Sequence, residues 1–391
     1  MIFLNKTLKI SFFILLLAYL SPFQQEISFA DQTAKKEVKD RPSDTANKIR
    51  RDCLKVLLET IEDENAFVRS AAIRAAGESE SELALPILDK GIEDPYPTAR
   101  LFALKGYRKI SSKKSLELAY KLHEDTDVWV RAEALEILGE LGKKDAIPIL
   151  KSNLKAADPT VQFAAIASLV KLNVGNHIKT LINASKSGDV ALRYQAIGYL
   201  GKIANKPSIN TLFSLLEDPE GEIVFYSLKA IGDKVSPKML EKLARLTLHK
   251  NPFVQREAIM ALGRLSTHPG MSLFSQFCDN SDPLVRLAAA AALDTDKQSA
   301  CENVFRDSLQ NSDYGVRSAT ARILGKTNLK NRGRLLAQAI KDPNSRVRTS
   351  AVRSAGMMGG VDAWPLLLNS IFDPLPVVRA YAAGNLIKLM Q

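Results

Sequence analysis

Apolar residues recur along most of this chain at spacings that predict amphipathic helices. In segment after segment a Val stands directly before an Arg, an Ala follows that Arg by three residues, and an aliphatic residue follows it by four. A further apolar residue, mostly Leu, stands seven residues after the Arg. These positions share one face of an α-helix. The pattern predicts a helix with one buried stripe, which we call helix B.

The segment returns every 31 residues over ten intervals without an insertion. Ala occupies the place three residues after the Arg in nine repeats, which predicts a close approach of neighbouring helices. Gly occupies the place eight residues after it in seven repeats, which is typical of a left-handed cap or a tight helix exit. We number positions from the Arg, which is position zero at Arg69, Arg100, Arg131, Gln162, Arg193, Val224, Gln255, Arg286, Arg317, Arg348 and Arg379.

A second helix, helix A, is predicted upstream of each helix B from aliphatic residues at −13, −12 and −8. Asp158-Pro159 and Asn251-Pro252 place an N-cap acceptor before a Pro at the first position of helix B. A single pair of short helices cannot bury its apolar faces, so neighbouring pairs must stack. We predict an all-α fold, a right-handed α-solenoid of about eleven 31-residue helical hairpins that spans residues 47–391.

The first 46 residues lie outside the repeat. Lys6 and Lys9 precede and adjoin an apolar run at 10–20, and Ser28-Phe29-Ala30 ends the segment. This order is typical of a secretory signal peptide over residues 1–30, cleaved after Ala30; an uncleaved N-terminal anchor is the alternative. The polar residues 31–46 are expected to form a flexible linker. The sequence therefore predicts an exported protein, periplasmic or secreted.

Composition and charge narrow the function classes. A hydrophobic fraction of 46% with 25% charged residues excludes disorder as the main state and excludes a multi-span membrane protein. The formal net charge of +11 favours an anionic partner. Residues 59–94 hold ten acids and three bases, whereas residues 311–356 hold two acids and ten bases. This asymmetry leaves open an anionic partner at repeats 9 and 10, head-to-tail self-association, or solvated faces screened by salt.

The motif D-P-x-x-V-R-x-x-A-x-x-x-L-G in a 31-residue hairpin resembles the HEAT-like repeat family, in its short prokaryotic form related to phycobilin lyase subunits. The resemblance covers about residues 47–391 and implies a superhelix whose B helices line the concave side. It also implies that Asp and Arg columns support stacking. That role would fall to Arg69, Arg100, Arg131, Arg193, Arg286, Arg317, Arg348 and Arg379.

The face of helix B that remains after burial carries aromatic residues interleaved with basic ones. Exposed aromatic residues flanked by cations are typical of recognition grooves, so we predict a site for a protein or peptide of acidic character. Alternatively, several of these aromatic residues fill gaps between B helices. The candidate binding residues are Phe102, Trp129, Phe163, Tyr194, Phe225, Tyr226, Phe253, Lys105, Lys202, Lys229, Arg322, Arg346 and Arg353.

Residues that could carry catalysis or bind a metal form no recognisable motif. The four histidines, at positions 123, 177, 249 and 268, occupy unmatched places in different repeats. HEAT-like deoxyhypusine hydroxylases hold two irons with several His-Glu pairs, whereas this chain has the single pair His123-Glu124. A Gly-rich phosphate loop, a G-x-S-x-G elbow and an H-E-x-x-H helix are absent from the sequence. We expect no metal, no cofactor and no catalytic activity.

The three cysteines are expected to pack rather than pair. Cys53 and Cys301 share position −16, which other repeats fill with small residues, and Cys278 occupies −8. These positions place Cys278 and Cys301 at opposite ends of adjacent A helices, so about eight residues of helical rise, about 12 Å, separate them along the axis. A disulfide cannot span that distance, so we expect none.

The favoured function is a non-catalytic, exported scaffold or binding protein that engages its partner through the concave face. One alternative is a HEAT-like enzyme or enzyme subunit, similar to phycobilin lyase or to the iron hydroxylase, which export disfavours because their substrates are cytoplasmic. A second is a binder of an anionic polymer (nucleic acid, glycan or lipid head group) at repeats 9 and 10. Because the signal peptide predicts export, we expect no nucleic acid as the partner, and no membrane span after signal cleavage. End-to-end self-association is left open, because Leu389 and Met390 on an uncapped last helix allow end contacts.

Overall fold

The computed structural model describes residues 41–142, 144–265, 271–294 and 301–391. Over these residues the chain forms eleven pairs of α-helices and no β-strand. The A helices are α1 (Arg41–Thr60), α3 (Leu85–Ile92), α5 (Ser112–Leu122), α7 (Ile147–Ser152), α9 (Ile178–Ala184), α11 (Lys206–Ser214), α13 (Leu240–Leu246), α15 (Met271–Ser275), α17 (Glu302–Ser308), α19 (Arg332–Ile340) and α21 (Gly360–Ser370). The B helices are α2 (Ala66–Glu78), α4 (Pro97–Ile110), α6 (Val128–Leu141), α8 (Pro159–Lys171), α10 (Val190–Ile203), α12 (Gly221–Ile231), α14 (Pro252–Gly263), α16 (Pro283–Asp294), α18 (Tyr314–Leu324), α20 (Ser345–Met358) and α22 (Pro376–Leu389).

Each helix pair packs on the next, and the predicted α-solenoid is confirmed. Asn or Asp caps many of the B helices, as Asn65 does by accepting a hydrogen bond from the backbone N–H of Phe67. The small residues three places after position zero are fully buried; Ala72, Ala103 and Ala134 have no exposed surface. Buried aliphatic residues of A and B helices form one continuous core along the stack.

The glycines eight places after position zero mainly allow close packing between B helices. A Cβ on Gly77 would lie 2.7 Å from the Cα of Gly106, and one on Gly263 would lie 2.8 Å from the Cβ of Ala292. Both distances are too short for a side chain. Neither glycine has a positive φ, because both lie within B helices, so the expected left-handed cap is wrong at these positions. Gly232, with φ of 52°, is the member of the column that has a positive φ.

The last B helix packs against the first, so the chain closes into a ring. Helix α22 contacts both α2 and α1. A Cβ on Gly384 would lie 2.9 Å from the carbonyl carbon of Ala75, and it would also clash with the carbonyl oxygen of Ala75. The side chain of Gln391 donates a hydrogen bond to the carbonyl of Ser79 at 2.9 Å. The closing interface therefore has the same close backbone approach as the interfaces between successive repeats.

Opposite charges also meet at the closure. Arg353 Nη2 lies 2.6 Å from Glu78 Oε1, and Lys388 Nζ lies 2.9 Å from Glu80 Oε1. The acidic start and the basic end of the repeat array thus face each other within one chain. The two ends of the repeat array contact each other within one chain, because the inner B helices pack closely and each repeat turns the chain in the same direction.

The N-terminal boundary differs from the expectation. Helix α1 begins at Arg41, inside the range 31–46 expected to be a linker, and Pro42 suits the first turn of a helix. The predicted signal peptide, its cleavage site and the linker up to residue 40 lie outside the described residues. Within the described part of the chain, no helix combines the length and apolar character needed to span a membrane.

A disulfide joins Cys278 to Cys301, with the two Cα atoms 5.7 Å apart, so the expectation of no disulfide is wrong. The 12 Å separation assumed two complete helices in register. In the structure α15 has five residues and α17 has seven, with Cys278 after the first and Cys301 before the second. Cys53 is free and buried, and burial raises the pKa of its thiol to about 12.

Candidate binding surface on the B helices

The B helices line the interior of the ring. A central cavity of about 720 Å³ is bounded by residues of α2, α4, α14, α18, α20 and α22 and by the turns after α2 and α18. These helices belong to repeats 1, 2, 7, 9, 10 and 11, so the cavity lies between the two ends of the repeat array. Because successive B helices run parallel, their first turns form one rim of the ring and their last turns form the other.

Aromatic side chains gather on the rim where B helices begin. Phe67, Trp129 and Phe253 are each the second residue of a B helix, and 71%, 55% and 53% of their surfaces are exposed. Tyr314, the first residue of α18, is also exposed and adjoins the same rim. This rim therefore offers apolar surface to solvent at several repeats.

Phe253 also belongs to a cluster of four aromatic residues across repeats 5, 6 and 7. The ring centroids of Tyr194 and Tyr226 lie 4.6 Å apart, those of Phe225 and Tyr226 lie 5.2 Å apart, and those of Phe225 and Phe253 lie 5.9 Å apart. Tyr226 is 40% exposed and Phe253 is 53% exposed. We call Tyr194, Phe225, Tyr226 and Phe253 the aromatic cluster.

Two cations flank the aromatic cluster. Lys229 Nζ lies 5.3 Å from the Phe225 ring centroid, and Arg256 Cζ lies 5.2 Å from that of Phe253, which are cation–π distances. Among the described residues neither cation has an ion pair with a carboxylate. Tyr194 donates a hydrogen bond to Glu222, which together with burial raises the pKa of its phenol to about 12.

Two predicted aromatic residues are not available to a partner in this way. Phe163 is only 2% exposed, and its ring packs edge-on against that of Tyr199 at 6.2 Å. It fills a gap between B helices, so its predicted exposure is wrong. Phe102 is half-buried, with the Arg74 guanidinium 5.2 Å from its ring centroid. Burial against the neighbouring B helix explains both cases.

Two predicted cations are neutralised by acids on the same inner surface. Lys105 Nζ lies 3.6 Å from Glu133 Oε2, and Lys202 Nζ lies 2.5 Å from Glu136 Oε1 across two repeats. Arg108 also pairs with Glu133, at 2.9 Å. Both glutamates are buried. Sequence reasoning overlooked these acids, although they occupy places +2 and +5, the same helix face as the predicted cations.

The remaining predicted cations lie in repeats 9 and 10. Arg346 stacks on Tyr314 at 5.8 Å on the rim where helices begin. Arg353 pairs with Glu78 at the closure. Arg322 Nη1 donates to Ser318 Oγ at 3.2 Å and has no carboxylate within ion-pair distance among the described residues. The predicted set thus divides between a rim site and the central cavity.

The family described as HEAT repeats matches residues 90–170, 153–227, 178–263, 211–294 and 302–387. These matches cover more than half of the chain. The chain belongs to the HEAT-repeat family.

Some solved structures are similar to this HEAT-repeat protein at low sequence identity. The karyopherin Kap121p, bound to the extreme C-terminus of the protein phosphatase Cdc14p, is 15% identical with a TM-score of 0.41 over 85% of this chain and 45% of Kap121p. Human deoxyhypusine hydroxylase in complex with glycerol is 19% identical with a TM-score of 0.31 over 64% of this chain and 98% of the hydroxylase. This chain spans less than half the length of Kap121p, and no curated protein sequence matches it.

The arginine column of this HEAT-repeat protein lies at the stacking interface, away from the aromatic cluster. Arg100 binds Asp125 of the next repeat through Nε and Nη2, both at 2.8 Å, and its Nη1 donates to the carbonyls of Asp94 and Pro95. Pairs with the same spacing of 25 residues are Arg69–Asp94, Arg193–Asp218, Arg317–Asp342 and Arg348–Asp373. The other three arginines of the column, Arg131, Arg286 and Arg379, donate to backbone carbonyls of their own turn. Among the described residues they have no Asp partner 25 residues further along the chain.

Arg69, Arg100 and Arg317 lower the pKa of the carboxyls they bind. Burial by itself would raise the pKa of Asp125, but hydrogen bonds from Arg100 and the backbone N–H of Asp127, with the charges of Arg100 and Arg131, outweigh it. The pKa values of Asp94 and Asp342 are lowered in the same way. In acid, the folded chain therefore binds fewer protons at these carboxyls than the unfolded chain does.

Stability is expected to fall steeply below about pH 4, the ordinary range of an Asp carboxyl in an unfolded chain. The folded pKa lies below the unfolded one, so the stabilisation is complete above that range and is lost as the pH falls through the folded pKa. Thermal melts between neutral and acid pH, with salt held constant, measure this. Asp125→Asn combined with Asp342→Asn should lower the melting temperature at neutral pH. It should also reduce the slope of melting temperature against pH in acid.

The matched control is Asp145→Asn, which replaces an exposed carboxylate with no ion pair among the described residues. It should leave both the melting temperature and the acid slope unchanged. Equal slopes in the wild-type protein and the double variant would contradict the assignment of acid sensitivity to the Arg–Asp column.

Metal-ligating side chains do not converge in the part of the chain that the structure describes, where no group of three or more His, Cys, Asp and Glu could hold an ion. His123 caps the end of α5, and His249 Nδ1 accepts a hydrogen bond from the backbone N–H of Asn251. His268 lies outside the described residues.

Proposed function

We propose that this HEAT-repeat chain is a non-catalytic, exported scaffold or binding protein that holds a protein or peptide partner on its inner rim. The observation that carries the proposal is the aromatic cluster of repeats 5–7, with Tyr226 and Phe253 about half exposed and two cations at its border. Aromatic residues on a rigid scaffold are typical centres of protein interfaces, since they bury a large area with little loss of side-chain entropy.

The partner has acidic character in this proposal. Lys229 and Arg256 lie beside the aromatic rings without a carboxylate partner among the described residues. An Asp or Glu of the partner would form ion pairs with them and neutralise their charge. Complementary charge also speeds encounter between partners and fixes the register of binding. By contrast, Lys105 and Lys202 are already paired with buried glutamates and would contribute little.

Export is supported by two independent features. The N-terminal segment has the order of a secretory signal peptide, with cleavage after Ala30. The Cys278–Cys301 disulfide is favoured in an oxidising compartment such as a periplasm or the extracellular space.

Removing the aromatic cluster should release the partner. The double variant Tyr226→Ala with Phe253→Ala is expected to weaken partner binding by at least about thirtyfold, because loss of one central interface aromatic residue often costs about 2 kcal/mol or more. The measurement is affinity capture of crosslinked partners from cell-envelope extracts, compared with the wild-type protein by quantitative mass spectrometry.

The matched control is Phe372→Ala. Phe372 is 81% exposed in the turn after the A helix α21, so it tests the loss of an exposed aromatic residue outside the proposed site. Capture of the same partners in the same amounts by the double variant would rule out the aromatic cluster as the binding site.

A further inference from the structure

The central cavity is a second place where a ligand could bind. Its volume of about 720 Å³ lies in the range of sites for small molecules. It is distinct from the aromatic cluster, because Arg322 and Arg353 line it from the second half of their B helices and Lys326 lines it from the turn after α18, whereas the cluster begins near the first turns.

Cations outnumber acids along the cavity wall. Glu78 is bound by Arg353 at 2.6 Å and by Arg74 at 2.9 Å, and Glu80 is bound by Lys388 at 2.9 Å. Both carboxylates are therefore engaged in the closure of the ring. The cations that line the cavity are Lys109, Arg322, Lys326, Arg353 and Lys388, and the acids are Glu78 and Glu80.

Two of these cations have no carboxylate within ion-pair distance among the described residues. Arg322 makes one hydrogen bond, to Ser318 Oγ, and Lys326 lies four residues further along the chain, in the turn after α18. Burial, together with the positive charges of Arg256 and Arg353, lowers the pKa of the Arg322 guanidinium. Like charges gathered around a cavity repel one another, and a bound anion would relieve that repulsion.

The wall also has an apolar part. Met260, Ile323 and Met357 line the same cavity as Arg322 and Lys326. An inorganic ion would use only the cations, whereas an organic anion could also bury an apolar body against the two methionines. Guanidinium and ammonium groups bind phosphate and carboxylate oxygens through charge-assisted hydrogen bonds.

We propose that the central cavity binds a small organic anion through a phosphate or carboxylate group held by Arg322 and Lys326. The cavity has walls from both ends of the repeat array, so such a ligand binds the closed ring in preference to an opened one. Its binding therefore stabilises the closed ring by mass action.

Calorimetric titration of the mature chain with phenyl phosphate, inorganic phosphate and citrate tests this at constant ionic strength. We expect phenyl phosphate or citrate to bind with a dissociation constant below about 1 mM, and phenyl phosphate to bind more tightly than inorganic phosphate. The comparison of phenyl phosphate with citrate distinguishes a phosphate ligand from a carboxylate one. Arg322→Gln should weaken binding by about tenfold, the effect of losing one charge-assisted contact.

Arg346→Gln is the matched control, because Arg346 is an exposed arginine of the neighbouring repeat that stacks on Tyr314 at the rim. It should leave the affinity unchanged. Absence of binding by all three anions, or equal losses in the Arg322 and Arg346 variants, would overturn the proposal. The variant that lacks Tyr226 and Phe253 should still bind the anion, so failure of the cavity proposal and failure of the polypeptide site are distinguishable.

Discussion

Replacing Gly384 by Leu is expected to open the ring. Gly384 is buried in the middle of α22, where an added Cβ would clash with the backbone carbonyl of Ala75 in α2. The contact is made by the backbone of Ala75, which cannot move aside as a flexible side chain could. The leucine can therefore be accommodated only if α2 and α22 separate. Overpacking of this kind costs about 1–3 kcal/mol, and separation would also expose apolar surface of α1, α2 and α22.

The expected result is a larger radius of gyration in small-angle X-ray scattering and a lower melting temperature. Separation would also break the Glu78–Arg353 and Glu80–Lys388 pairs, so the opened form should be favoured further by high salt.

Gly198→Leu is the matched control for this variant. Both glycines lie within B helices of 14 residues, so the gain in helix propensity is the same. A Cβ on Gly198 would meet no atom within 4 Å, because this glycine faces solvent. If the Gly384 variant scatters and melts like the Gly198 variant, the contact between α22 and α2 does not hold the ring closed.

Removing the disulfide should produce the other large effect. Replacing both Cys278 and Cys301 by Ser is expected to lower the free energy of unfolding by about 3 kcal/mol, the chain-entropy estimate for a loop of this length. The bond joins residues 23 apart in sequence and ties two of the shortest A helices, α15 and α17, to each other. Urea denaturation followed by circular dichroism measures the change, and hydrogen exchange should show the greatest loss of protection in repeats 8 and 9.

Thiol titration of the denatured protein, purified from its native compartment without reductant, provides the direct check. One reactive thiol of the three is expected, that of Cys53. Three reactive thiols would contradict both the disulfide and its support for export. Cys53→Ala controls for the loss of a buried cysteine, since it leaves the disulfide intact.

The repeat pattern was sufficient to predict the helical architecture of this chain. Position zero, the small residue at +3 and the Asp-Pro turn are local features, and each acts within one hairpin or between neighbouring hairpins. Strong local periodicity of this kind predicts helix type and stacking, because the same contacts recur in each repeat. The HEAT-like resemblance rested on the same columns, and the family match agrees with it.

The candidate site was only partly predictable. The sequence placed Phe163 and Tyr226 on the same face of helix B, yet one is 2% exposed and the other 40%. It also placed Lys202 among the free cations, whereas Glu136, two repeats earlier, pairs with it. Helix periodicity gives the direction of a side chain but not the distance to a helix two repeats away.

The sequence by itself determined the 31-residue unit, its two helices and the positions that stack one unit on the next. The tertiary structure alone decided that Gly384 meets Ala75, that Glu78 meets Arg353, and that a cation-lined cavity forms between the chain ends. The physical reason is that stacking is set by contacts between neighbouring units. Closure depends instead on small rotations added over eleven units, which no single repeat encodes.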